Sequence, residues 1–252
     1  MFTTKIIAQD TGTKEEFKPV YLTVTTGHWS TDKSTDFSDW IKTEKEYFDK
    51  VTAKNDLIIG SGYYTHYFTA DNSEVLFVSV YNSWEDIEKA NGVTAKLIEE
   101  GWPNEDDRKA FLKKQNSYYS SKHSDEIYAS GPFTIPVKTD SKEPLVYYVR
   151  KNVLGSGGSG FKEYFENITM KNSFIKGYYT HRHRWGANSR DAIEVFVFDN
   201  LADIESSFDE TANLVKAHWP DENKRKEFFK EYDKLFDGHG DYIYHNVPEL
   251  SK

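Results

Sequence analysis

Gly62-Tyr63-Tyr64-Thr65-His66 returns as Gly177-Tyr178-Tyr179-Thr180-His181, 115 residues further along the chain. Trp102-Pro103-Asn104-Glu105 returns as Trp219-Pro220-Asp221-Glu222 after 117 residues, and His123-Ser124-Asp125-Glu126-Ile127-Tyr128 as His239-Gly240-Asp241-Tyr242-Ile243-Tyr244 after 116. Three blocks in one order with nearly one spacing mark a tandem duplication. The period far exceeds the roughly 20–50 residues of solenoids and propellers, so each copy is itself the size of a small domain.

Each copy can be read with the help of the other. Residues 19–25 alternate β-branched and aromatic side chains, the pattern of a strand. Phe37, Trp40, Ile41, Tyr47, Phe48 and Val51 then fall on one helical face, with Asp36 placed to cap it. Residues 57–68 and 74–81 form two strands around the turn 70–73, a hairpin. Residues 84–100 are helical, Pro103 suits the first turn of a further helix, and 125–137 close the unit as a strand interrupted by Pro132 and Pro136. The order is β-α-β-β-α-(α)-β, the split βαβ pattern with one added helix. The second copy repeats it, with strands at 144–153, 174–185, 191–198 and 241–247 and helices at 161–171, 201–217 and 221–236. The expected organisation is a leader over 1–18, a first repeat over 19–129, a linker over 130–143 and a second repeat over 144–248.

A duplicated ferredoxin-like α+β unit of this length resembles the dimeric α+β barrel superfamily. The resemblance implies that the antiparallel sheets of the two repeats pack into a pseudo-dimeric barrel closed within one chain. The Tyr-Tyr-Thr-His and Trp-Pro-Asn/Asp-Glu blocks also look like those of an uncharacterised group of exported proteins from flavobacteria-like organisms. The superfamily includes cofactor-free monooxygenases, lactone isomerases, polyketide cyclases, haem-dependent chlorite dismutases and stress proteins, so fold likeness alone selects no reaction.

Composition excludes several classes. A net charge of −9 argues against nucleic acid or an anionic membrane as the main partner, since both need a basic footprint. With no cysteine in the chain, disulfides, thiolate metal sites and cysteine nucleophiles are excluded. No apolar run approaches the ~20 residues of a membrane-spanning helix. Ile6-Ile7-Ala8-Gln9 resembles the tail of a secretory signal, which leans toward an exported or periplasmic protein, with a short leader on a cytoplasmic protein as the alternative.

The hairpin strands carry the candidate site. Alternation places Tyr64, His66 and Phe68 on one face in the first copy and Tyr179, His181, His183 and Trp185 together in the second. An imidazole among aromatic rings can orient a polar ligand or take a proton. The competing reading is a hydrogen-bonded structural histidine. In this alignment Phe68 stands where the second copy has His183, so only the second copy could bring two imidazoles together. A metal there would need a third ligand, for which Glu194 on the paired strand is available; no metal is expected, because His-Arg-His-Arg is equally natural at a solvated hairpin end. Arg182 and Arg184 could hold an anion, or simply lie in solvent.

Gly155-Ser156-Gly157-Gly158-Ser159-Gly160 spells a dinucleotide-loop pattern, but the acidic residue needed about 20 positions later is missing, which favours a flexible loop. A haem of the chlorite dismutase kind would need a proximal histidine, nominally His181 or His239, yet that family's surrounding motifs are absent. No cofactor is expected. These features define a protein that binds a small molecule through Tyr64, His66, Tyr179, His181, His183 and Glu194. Two alternatives stand beside it: a cofactor-independent isomerase, cyclase or monooxygenase using His66 or His181 as base, and a structural or stress-associated domain without ligand.

Overall fold

Eight strands close into one antiparallel barrel in the computed structural model, which describes residues 17–31, 36–141 and 143–252. The first copy supplies β1 (Tyr21–Trp29), β2 (Gly60–Phe68), β3 (Glu74–Tyr81) and β4 (Tyr119–Ile135), and the second supplies β5 (Val146–Leu154), β6 (Gly177–Trp185), β7 (Asp191–Phe198) and β8 (Phe236–Asn246). Around the ring the order is β1-β3-β2-β8-β5-β7-β6-β4, with β4 returning to β1. Each copy keeps the ferredoxin-like order of strands. The copies join at two seams, β2 with β8 and β6 with β4. Corresponding strands lie four places apart and run the same way, so the pseudo-twofold follows the barrel axis. Both hairpin tips, 69–73 and 186–190, therefore lie at one mouth of the barrel.

Helices α1 (Phe37–Lys50), α2 (Trp84–Gly101) and α3 (Glu105–Asn116) belong to the first copy, and α4 (Phe161–Asn167), α5 (Ala202–His218) and α6 (Glu222–Tyr232) to the second. Local chemistry starts several of them. The Asp36 carboxylate accepts from the Ser38 and Asp39 amides, Ser83 Oγ from Asp86, Asn104 from Asp106 and Asp107, and Asp221 from Asn223 and Lys224. The Trp-Pro block is thus the elbow between two helices. Trp102 ends α2 and Asn104 caps α3, so Pro103 precedes the first helical turn instead of occupying it.

Strand alternation separates two apolar layers. Val75, Phe77 and Tyr63 point outward and pack with Trp40 and Phe48 of α1; Val146, Tyr148 and Phe198 do the same with Ile204 of α5. Leu22, Val24, Val78 and Val80 point inward and meet Tyr128, Val149, Ile193 and Val195 from around the ring. The helix-covered layer is the tighter one: Trp40, Val75 and Phe198 are at most 1% exposed. Five inward valines (24, 78, 80, 149 and 195) are only half-buried, so the barrel centre keeps accessible space.

Both closing strands begin earlier than expected, β8 at Phe236. The closing strand β4 begins at Tyr119, because it pairs with β1 as far as Trp29. It also runs on through residues 130–135 of the expected linker. There it leaves β1 but stays paired with β6, which it meets from Ile127 on with an irregularity between Ser130 and Thr134, and this pairing stitches the first copy to the second. The Gly155–Gly160 run is a docked loop. Its Gly155 and Ser159 amides donate to the Leu235 and Glu231 carbonyls. Gly160 has φ +95°, and a Cβ there would come within 2.7 Å of the Phe228 ring. The expected leader falls outside the described residues, apart from positions 17 and 18.

Candidate functional site

Strand register decides which residues face each other across the seams. At the β2–β8 seam His66 stands opposite Tyr244 and Tyr64 opposite Asn246. At the β6–β4 seam His183 stands opposite Tyr128 and His181 opposite Ser130. Tyr128 and Tyr244 are matched residues of the duplication, so His183, not His181, is the structural counterpart of His66. In the strand register β2 and β3 repeat as β6 and β7 at 117 residues, the spacing of Trp102 and Trp219 and of Asn55 and Asn172. The Tyr-Tyr-Thr-His block repeats at 115, displaced by two residues along its strand. Because the displacement is even, its faces are kept. Phe68 therefore corresponds to Trp185, and the pairing of Phe68 with His183 expected from the block alone is corrected.

Tyr64, His66, Tyr179, His181 and His183 all face the barrel interior. Tyr64 packs edge-on against Tyr147 with ring centroids 4.8 Å apart, bringing the two copies together inside the barrel. His183 meets Tyr128 edge-on at 6.3 Å. Glu194 does not join them. It pairs in register with Thr180, so it points to the outer, helix-covered face. There it accepts from Tyr178 Oη at 2.6 Å and Asn152 Nδ2 at 2.8 Å. A His181–His183–Glu194 triad is ruled out by this alternation, and no group of three potential metal ligands occurs among the described residues. The first copy has an analogous buried carboxylate from a different element. Glu44 of α1 accepts from Tyr63, Tyr119 and Gln115, and burial raises its pKa despite those three donors.

The two seams differ in how their polar atoms are satisfied. In the first, His66 Nδ1 contacts Thr69 Oγ1 at 2.8 Å, and Tyr244 Oη donates to Glu74 at 3.2 Å. In the second, the position matching Thr69 is Gly186, with φ +143°, and the Glu126 side chain lies against the space a Cβ would fill. The hydroxyl that engages His66 thus has no equivalent beside His183. His183 Nε2 and His181 Nδ1 are both enclosed with no hydrogen-bond partner among the described residues. Burial alone depresses the His181 pKa to about 4, so this ring is neutral at physiological pH.

A charged bridge crosses the same region. Lys151 on β5 reaches past β7 and β6 to Glu126 on β4, at 3.2 Å, and also contacts Asp191 at 2.9 Å. Tyr128 Oη donates to Glu126 at 2.9 Å. Lys151 and Asp191 lie outside the repeated blocks, and Glu126 and Tyr128 stood out only as part of one; register alone shows that the four share the inner face with His183. Arg182 and Arg184 lie on the opposite face of β6, exposed, and neither forms an ion pair among the described residues. At the first-copy corner of the mouth, Trp29, Phe37, Thr65, His66 and Asn72 line an open recess of about 310 Å³.

Of the two nominal haem ligands, His239 is exposed and paired with Asp241 at 3.1 Å.

The architecture is that of the dimeric α+β barrels, here completed within one chain. Solved structures share it over almost their whole length. A proposed monooxygenase of Fusobacterium nucleatum has a TM-score of 0.58 at 12% identity, covering 92% of this chain and 94% of its own. A chlorite dismutase variant from Candidatus Nitrospira defluvii gives 0.55 at 12% identity, with 92% of each chain covered. An anthrone oxidase-like protein gives 0.51 at 13% identity, again with 92% of each covered. At such identities the likeness is one of fold. No family model matches the sequence, and no curated protein matches it. No helix among the described residues is long and apolar enough to cross a membrane.

Proposed function

We propose that this chain is a small-molecule-binding protein that holds its ligand inside the barrel, against the seam of β4 and β6. One observation carries the reading: His181 Nδ1 and His183 Nε2 are enclosed without partners among the described residues, while the matched first-copy seam satisfies its histidine internally. A buried polar atom left unsatisfied costs about 1–3 kcal/mol, and a ligand hydrogen bond would offset that cost. The half-buried inward valines and the rings of Tyr64, Tyr147 and Tyr179 offer apolar contact area, the usual makeup of a small-molecule site. Proteins of this fold include ones named as monooxygenase-like and chlorite dismutases, which is consistent with a small-molecule role.

The catalytic alternative is less well supported. A general base works best with a pKa near the working pH, whereas burial holds His181 at about 4, which makes it a weak base. The nitrogen of His66 nearest a partner is already engaged by Thr69. Native mass spectrometry of the full chain, purified without denaturation, tests the reading. The wild type should carry or acquire a small-molecule adduct that the His181→Phe/His183→Phe variant does not. If no metabolite in a broad library binds the wild type, and the double variant is simply more stable, the ligand-free structural reading replaces it.

A further inference from the structure

Resting on that reading, we propose that the β4–β6–β7 wall recognises the ammonium group of an organic amine, with the apolar body lying on the inward valines. The first support is a charge imbalance. Glu126 and Asp191 share a single ammonium, that of Lys151, and their side chains are only 15% and 2% exposed. Charges withdrawn from water need a partner each, so this wall is short of one positive charge. The second support is the pair of enclosed imidazole nitrogens. The neutral His181 ring has a lone pair to offer, and an ammonium has three N–H donors and no acceptor. The two rings stand two residues apart on one strand, hence roughly 7 Å from each other along it. The third is the Tyr128 ring beside His183, whose face is a suitable surface for a cation.

A carboxylate ligand would meet the opposite conditions. It would approach Glu126 and Asp191 at close range, and the nearest unpaired cations on β6, Arg182 and Arg184, project to the solvent side of that strand. Sequence alone invites the opposite conclusion, because those arginines give the hairpin a basic look.

The test uses the full chain and two probes of similar size, 2-phenylethylamine and 3-phenylpropionate. Isothermal titration calorimetry at pH 7 measures affinity, and ¹H–¹⁵N spectra of ¹⁵N-histidine-labelled protein locate binding. The amine should bind, shift the His181 and His183 signals and leave His123 and His239 unmoved. The carboxylate should bind at least roughly tenfold more weakly, and Glu126→Gln should cost the amine roughly tenfold, the order expected for one partly screened charge a few ångströms away. Equal or tighter binding of the carboxylate at the same histidines would overturn the amine assignment and leave the binding site standing. Binding of neither probe, or shifts confined to histidines outside this wall, would overturn both.

Discussion

Replacing Lys151 with Met removes the one ammonium that Asp191 and Glu126 share while keeping most of the apolar stem. Asp191 is 2% exposed; its Oδ1 accepts from Asn188 Nδ2, but its Oδ2 has only Lys151. Glu126 keeps the Tyr128 hydroxyl and has some solvent access. Breaking a fully buried pair from one side costs about 3–5 kcal/mol. Because Lys151 is 32% exposed, screening lowers the expectation to about 2–3 kcal/mol at pH 7. For a chain of this size that corresponds to a melting shift of roughly 5–10 °C. Urea unfolding of wild type and variant at pH 7 measures this, and Lys151→Met/Asp191→Asn should recover at least half of the loss. A deficit below about 0.5 kcal/mol, or one unrelieved in the double variant, would show that the bridge holds nothing in place.

Trp102 and Trp219 are 7% and 8% exposed, and each stacks on a phenylalanine of the following helix, Phe111 or Phe228, at 4.0 Å. Alanine at either should cost about 3–5 kcal/mol by chemical denaturation, and near-neutral values for both would return the Trp-Pro block to a surface role. His181 has a folded pKa of about 4 against about 6.5 unfolded, so folding favours its neutral ring. That contribution, up to about 3 kcal/mol, is complete above pH 6.5 and is lost as pH falls through 4, and His181→Phe should flatten the stability profile across that window. Gly160→Ala puts a side chain at φ +95° against the Phe228 ring and should lower stability by at least about 1 kcal/mol; an unchanged midpoint in urea would mean the loop is not held as described.

The fold was legible because the duplication let weak local signals be read twice. Asp36 caps α1 as its place before Phe37 suggests, and the hairpin strand 74–81 falls where alternation placed it. The start of β4 was not legible, because pairing with β1 as far as Trp29, not local propensity, extends the strand back to Tyr119. The candidate site was legible by face only. Two-residue periodicity groups His181 with His183, but placing Glu194 with them required the register of β6 against β7, and Thr180 opposite Glu194 settles it on the other side. A buried Asn signals the true frame better than the aromatic block does: Asn55 and Asn172, 117 residues apart, each hold the following helix through a backbone carbonyl and a threonine hydroxyl. Neither residue stands out in a sequence scanned for aromatic motifs.

Completing the barrel within one chain lets its two seams diverge, which a symmetric pair of identical subunits cannot do. The inner wall records that divergence position by position. Glu74 beside His66 becomes Asp191 beside His183, Tyr64 becomes His181, and Thr69 becomes Gly186. Together the changes lead from a seam whose donors and acceptors answer one another to a seam with two nitrogens unanswered among the described residues. Meanwhile the outer layer stays closed by other means. The displaced aromatic block brings Tyr178 onto Glu194 of β7, whereas Tyr63 meets Glu44 of α1. A shift of one residue would have exchanged the inner and outer faces of the strand, sending the histidines under the helices and Tyr178 into the barrel. A shift of two changes which residues occupy the inner wall and leaves its direction intact. The slip in the repeat therefore accounts for both oddities of the second copy, its relocated Tyr–Glu pair and its imidazoles stacked along the inner wall.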